Sequence, residues 1–330
     1  MRLTTQISST LQMIYNISMS NKLAKIPVPL LAVMVGAATL SNVFLAAGFP
    51  FVKHFTIFLC VLTVLVYIVK LIVSTKHCIE EYKKPILCSL YGAFSMLLMI
   101  LGSYFYDMGF YAGKVVWFIA VAIHIVHILV FTYLHVLRGV EIVTFVPSWF
   151  VTYDGLLVSA VVGVSMNQNK LLTLIVWYGI LIYAIIIPFM VYRIIRHEMH
   201  DTAYHTLAVV LAPPSLCGVG YLNVTKVPNS LVIWILYGAV LISLGFIIFK
   251  LPRFFSYQFN PGFAGMTFPM AIGTVASSKI SKYAFSIGLD LIGTITNEIE
   301  GIQLYLTTGI VAFVIYNYLR LLYGIVVEKS

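Results

Sequence analysis

The chain has 330 residues, of which 61% are apolar and only 9% charged, with 20 Lys and Arg against 11 Asp and Glu for a net charge of +9. Soluble domains carry roughly 25% charged residues, so this chain lacks the polar coat a water-soluble surface needs. That excludes a disordered tail, a secreted disulfide scaffold and a soluble catalytic domain on a single anchor, and it predicts an all-α integral membrane protein.

A membrane helix needs about 20 mostly apolar residues. Taken in order, the chain offers ten such runs: 27–47, 54–74, 85–106, 115–137, 144–165, 171–192, 205–224, 230–249, 262–283 and 302–325. They divide the protein into an N-terminal segment (1–26), a single ten-helix domain (27–326) and a short tail (327–330). The N-terminus, the even-numbered loops and the C-terminus hold fourteen basic residues, Arg2 and Lys329 among them, against six in the odd-numbered loops. By the positive-inside rule both termini are cytoplasmic. No small-residue cleavage site follows a short apolar core, so no removable signal peptide is expected.

The odd-numbered runs recur roughly every 60 residues, as five helical hairpins would. Counting the adjoining Pro261, the odd runs hold 18 Gly and Pro and the even runs hold six. Such residues are tolerated where neighbours re-satisfy the backbone or where a helix lines a cavity. The spacing therefore predicts five inner helices running in one direction and five smooth outer helices facing lipid; close helix packing is the plainer reading of the same glycines.

Within the spans, the third contributes Gly92 and the fourth carries His124, His127 and His135. His124 and His127 share a helix face at a spacing that suits a metal pair, but no other span offers a central histidine at that depth. A redox or metal enzyme built on them is the reading from another class; packing histidines are the simpler one. His197, His200 and His205, with Glu198 and Asp201, read as a hydrated turn. The fifth span places Asp154 near mid-membrane, where an acid costs roughly 2.5–3.5 kcal/mol on insertion scales. It is expected to find a hydrogen bond on a neighbouring helix, or else to serve as a proton site. Cys60, Cys78, Cys88 and Cys217 show no metal-ligand spacing, and neither GxSxG, HExxH nor a Walker motif occurs, so no enzymatic activity and no cofactor are expected.

The most irregular runs are the seventh, Leu211-Ala-Pro-Pro-Ser-Leu-Cys-Gly-Val-Gly-Tyr221, and the ninth, Phe259-Asn-Pro-Gly-Phe-Ala-Gly-Met-Thr-Phe-Pro-Met270. Pro213 and Pro214 should break the seventh helix in mid-span, and Pro269 should kink the ninth beside Phe268. These two segments resemble the tellurite-resistance/dicarboxylate transporter family, which includes the plant guard-cell slow anion channels. Pro147-Ser148-Trp149-Phe150 with Gly155, and Ile26-Pro27-Val28-Pro29 with Gly36, add to the resemblance.

The resemblance implies a quasi-five-fold ring of hairpins and a homotrimer in the bacterial inner membrane, each protomer with its own pore. It implies selectivity for small monovalent anions such as chloride or nitrate, and it makes Phe268 a gate. Thr267, Pro269, Gly265, Pro213, Pro214, Ser215, Gly36, Gly92 and Gly155 would shape or line that pore. Lys279 and Lys282 would raise anion concentration at an outer vestibule or mark the membrane boundary. The partners are then small anions and the lipid bilayer, with no nucleic acid. A proton-coupled carrier of C4-dicarboxylates, or an exporter of sulfite or tellurite, is the alternative, with Asp154 as its proton site.

Overall fold

A computed structural model of the protein describes residues 20–327. Residues 1–19 and 328–330, including Arg2 and Lys329 of the charge count, lie outside the described residues. Within them the chain is helical throughout, without strands. Helix α1 is Leu30–Ala46 and α2 is Pro50–Val73; the short α3 (Thr75–Tyr82) leads into α4 (Pro85–Asp107) and α5 (Ala112–His135). The next segment is α6 (Trp149–Tyr153) and α7 (Val158–Val162), with 3₁₀ turns at Gly155–Leu157 and Val164–Met166. Then come α8 (Asn169–Arg196), a 3₁₀ helix at Asp201–Leu211 running into α9 (Ala212–Val224), and α10 (Ser230–Phe254). A second 3₁₀ stretch, Pro261–Met266, precedes α11 (Thr267–Ser286), and α12 (Asp290–Val327) ends the fold.

Seven of these segments are long and apolar enough to cross a membrane, and α1, at 17 residues, is a shorter apolar helix. The other two predicted spans differ for visible reasons. The fifth is wound in four pieces rather than one helix. The ninth turns polar in its second half, where Ser277, Ser278, Lys279, Ser281 and Lys282 follow one another. The last helix is longer than predicted: Asn297, Glu298 and Glu300 end its apolar run without ending the helix. Its 38 residues span roughly 57 Å, against about 30 Å of hydrocarbon.

Burial sorts the helices. In their most apolar 18-residue stretches, 72% of α4 and 83% of the Asp201–Val224 segment is buried, against 22–39% for α2, α5, α8, α10 and α12. Of the 17 residues of α1, all but four are buried. The buried elements are those rich in glycine and proline. They touch in a closed circuit, α1 to α4, α4 to α6 and α7, α7 to α9, α9 to α11 and α11 back to α1. Leu, Ile, Val and Phe on the outer helices face away from this circuit, where hydrocarbon is the solvent they fit.

Glycine is what lets the circuit close. A Cβ on Gly36 would stand 2.7 Å from the Phe268 nitrogen and 2.8 Å from Thr267 Cβ, so α1 crosses the start of α11 backbone to backbone. Thr267 fastens the crossing, its Oγ1 donating to Ala264 O at 2.8 Å and to Ala32 O at 3.2 Å.

Candidate functional site

Three cavities follow one another along the axis of the inner circuit. The first, of about 470 Å³, is walled by Pro27–Pro29, Leu90, Thr206, Asn260 and Gly265 among others. The third, of about 370 Å³, is walled by Asn42, Lys53, Ser103, Val161, Val219 and Lys279 among others. Between them lies a pocket of about 20 Å³, bounded by Ala32, Val35, Leu90, Ala93, Met96, Val151, Val209, Ala264, Gly265, Phe268 and Pro269. All five inner segments contribute to this middle pocket. Residue numbers rise in the same order on each: α1 supplies 26–29, then 32 and 35, then 42 and 45, and α11 with its preceding 3₁₀ stretch supplies 260–262, then 264–269, then 275 and 279. The five segments are therefore parallel, and the cavities are stations on one line.

The neck has room for about one water molecule, and its side-chain wall is apolar, hydrocarbon together with the thioether of Met96. Phe268, 6% exposed, is the aromatic residue among those that border it. The local winding sets where Phe268 stands. Pro261–Met266 is 3₁₀, opened by Asn260, whose Oδ1 accepts from Gly262 N at 2.8 Å. The α-helix starts at Thr267, so Phe268 stands at the change of winding. Pro269 falls within the first turn, where a missing N–H costs little; the change of winding takes the place of the expected kink. Gly265 packs against the chain at His205, a Cβ there standing 2.8 Å from His205 O.

The other sequence-predicted residues lie behind this wall. Pro213 and Pro214 occupy the first turn of α9, directly after the eleven-residue 3₁₀ helix ends, so the interruption expected in the seventh span is a change of winding. Ser215 Oγ donates to Leu211 O at 2.7 Å across that junction. Gly92 and Gly155 make room for histidines. A Cβ on Gly92 would stand 3.3 Å from His127 Nε2, and one on Gly155 would stand 2.8 Å from His124 Cε1.

Both histidines have protein partners. His124 bonds Ser95 Oγ at 2.7 Å and, through Nε2, Thr152 O at 2.9 Å, a carbonyl left over where α6 ends. His127 bonds Tyr82 Oη at 2.6 Å and Thr152 Oγ1 at 3.2 Å. They hold the broken fifth segment together, which accounts for their place on one face of α5. His205 corrects the reading of a hydrated turn. It is fully buried, bonds Phe254 O at 3.0 Å and stacks on Phe263 at a centroid distance of 3.8 Å.

For Asp154 the expected hydrogen bond to a neighbouring helix is not seen. The residue is fully buried, yet neither carboxyl oxygen has a hydrogen-bond partner among the described residues. It contributes to none of the three cavities. Tyr178, Tyr183 and Cys217 stand within electrostatic reach of it, in the seam between the fifth segment, α8 and α9. Of the two lysines expected at an outer vestibule, Lys279 lines the 370 Å³ cavity and Lys282 is exposed outside it. Helix α11 runs on past both to Ser286.

Residues 25–322 match the family model described as SLAC1, voltage-dependent anion channel. The chain belongs to the voltage-dependent anion channel family. Comparison with curated proteins gives no match. Membership makes this a multi-pass membrane protein of a family of anion channels and transporters rather than of enzymes. Of the residues that the sequence singles out, Phe268, Pro269 and Gly265 border the middle pocket. Sequence reasoning missed Ala32, Ala93 and Ala264, whose only signal is small size at helical spacing, and it missed Lys53, which reads as a boundary lysine.

Proposed function

We propose that the chain is a channel for small monovalent anions, chloride and nitrate first among them, with the neck at Phe268 as its gate. The observation that carries this reading is the pair of roomy cavities with a narrow apolar neck between them, bordered by one aromatic residue, Phe268. A constriction of this kind closes a path by sterics and dewetting. A path without charged rings also suits rapid passage, because ions held weakly leave readily. The closed circuit of buried segments and the exposed outer helices support a ten-span protomer over residues 27–326, in five hairpins with the pore inside each protomer. The homotrimer and the bacterial inner membrane rest on the family resemblance, and the cytoplasmic termini rest on the lysine and arginine bias.

The test is voltage clamp in oocytes, comparing wild type with Phe268→Ala in chloride, nitrate and malate baths. A small wild-type current that rises several-fold in the variant, with chloride and nitrate above malate, is the expected result. A variant that reaches the surface and stays silent defeats the gate.

One observation favours a second reading, a proton-coupled dicarboxylate carrier or an oxyanion exporter. Asp154 is a buried acid without a hydrogen-bond partner among the described residues, and such groups in membranes mark proton relays. Uptake of malate driven by a pH step and abolished by Asp154→Asn would establish the carrier; a flux indifferent to Asp154→Asn removes it.

A further inference from the structure

The 370 Å³ cavity carries charge that the neck does not use. Two ammonium groups from different helices share its wall, Lys53 in α2 and Lys279 in α11. Lys53 is 7% exposed, and its Nζ donates to Asn42 Oδ1 at 2.6 Å. Lys279 Nζ donates to Asn223 Oδ1 at 3.1 Å. The amide of Asn223 is itself fixed, its Nδ2 donating to Ala160 O and Val161 O, so its oxygen is committed to Lys279.

Both acceptors are neutral. Among the described residues no carboxylate lies at ion-pair distance from either lysine. The acid on the same wall is Asp107, which is exposed. An ammonium has three donors and no acceptor, so each lysine keeps N–H groups to offer. Taking a charge out of water without a counter-charge is costly. The same chain resolves that problem elsewhere: Lys70, fully buried, is bonded to Ile26 O and paired with Glu81 at 3.0 Å. Lys53, buried like Lys70, has no carboxylate at ion-pair distance, whereas Lys279 is exposed and brings its charge to the cavity from the water side.

We propose that Lys53 and Lys279 form a binding site for a small inorganic anion in this cavity, filled from solution before the ion meets Phe268. The cavity has room for around ten waters at about 30 Å³ each, so the ion keeps part of its hydration shell and is held loosely enough to leave. The use of the site in transport rests on the channel reading; the binding itself does not.

Chloride NMR line broadening on the purified, detergent-solubilised protein reads that binding without any current. The expected result is excess broadening that nitrate competes away and that falls several-fold in Lys53→Gln and in Lys279→Gln. Lys170→Gln, an equal change of charge at an exposed site away from the cavity, leaves it unchanged. Wild-type broadening in Lys53→Gln overturns the site; should that variant not be monodisperse, Lys279→Gln decides by the same criterion. Loss of broadening beside a silent Phe268→Ala leaves the site standing and removes the channel, while a conducting Phe268→Ala with broadening indifferent to both lysines removes the site alone.

Discussion

The seventh and eighth segments are neighbours in the chain with nearly the same length and opposite construction. Asp201–Val224 changes from 3₁₀ to α at two prolines and is 83% buried over its apolar stretch; α10 is continuous over 25 residues and 39% buried. A backbone that faces hydrocarbon must satisfy every N–H and C=O within itself, and the α-helix does so. A backbone enclosed by other helices can borrow partners, as Thr152 O borrows His124 and Pro261 O borrows Tyr318 Oη at 2.8 Å. Irregular winding is thus affordable inside the circuit, and it is inside that the cavities lie.

The sharpest way to break this contrast is to add the same atoms to a glycine on each side of it. Gly36→Val forces α1 away from the Thr267–Phe268 backbone, and overpacking of this kind costs about 1–3 kcal/mol or more. With backbone as the obstacle, the expected outcome is loss of monodisperse protein on size-exclusion chromatography. Gly245→Val on α10, with nothing within 4 Å of its Cβ, should chromatograph as wild type.

A second contrast concerns charge. Lys70→Met takes the ammonium from Glu81, which keeps Tyr91 Oη at 2.6 Å and His77 Nε2 at 3.3 Å; breaking a buried pair from one side costs up to about 3–5 kcal/mol, read as a fall in thermal midpoint. Lys83→Met removes the exposed pair with Glu80, worth about 0–1 kcal/mol, and should barely move it. Should the two variants melt alike, the enclosed pair carries no special weight.

A smaller effect is expected at the broken fifth segment. His124→Phe leaves Thr152 O without its imidazole partner, while Ser95 Oγ keeps Gly92 O at 2.9 Å, at about 1–3 kcal/mol for an unsatisfied buried group. A wild-type melting curve would deny that the histidine splints the break. Smallest of all, Gly238→Ala on α10 meets open space and should gain roughly 0.5–1 kcal/mol from helix propensity, read as a slight rise in midpoint.

The division into inner and outer helices was legible because glycine and proline are costly in a lipid-facing helix and cheap in an enclosed one. The motif around Phe268 drew attention to a residue that borders the middle pocket. Other features left no such trace. Pro213-Pro214 reads as a mid-span break, since nothing in the residues announces that the preceding eleven are wound as 3₁₀. The extension of α12 down to Asp290 is hidden because an apolar run measures hydrocarbon, whereas a helix continues through polar residues. Lys53 at the end of a span looks like any snorkelling lysine; only its neutral partner distinguishes it. Asp154 was conspicuous, but its lack of a partner depends on how three segments meet.

The two 3₁₀ stretches pack against each other, and both reach the neck, through Val209 on one and Ala264 and Gly265 on the other. A 3₁₀ helix rises about 2.0 Å per residue at three residues per turn, an α-helix about 1.5 Å at 3.6. Rewinding the six residues of Pro261–Met266 as α would shorten that stretch by about 3 Å and unwind it by about 120°. The eleven of Asp201–Leu211 would shorten by about 5.5 Å. Beside Phe268 the backbone thus holds travel in reserve, a screw thread of two pitches whose conversion would swing an aromatic ring without breaking a helix in two.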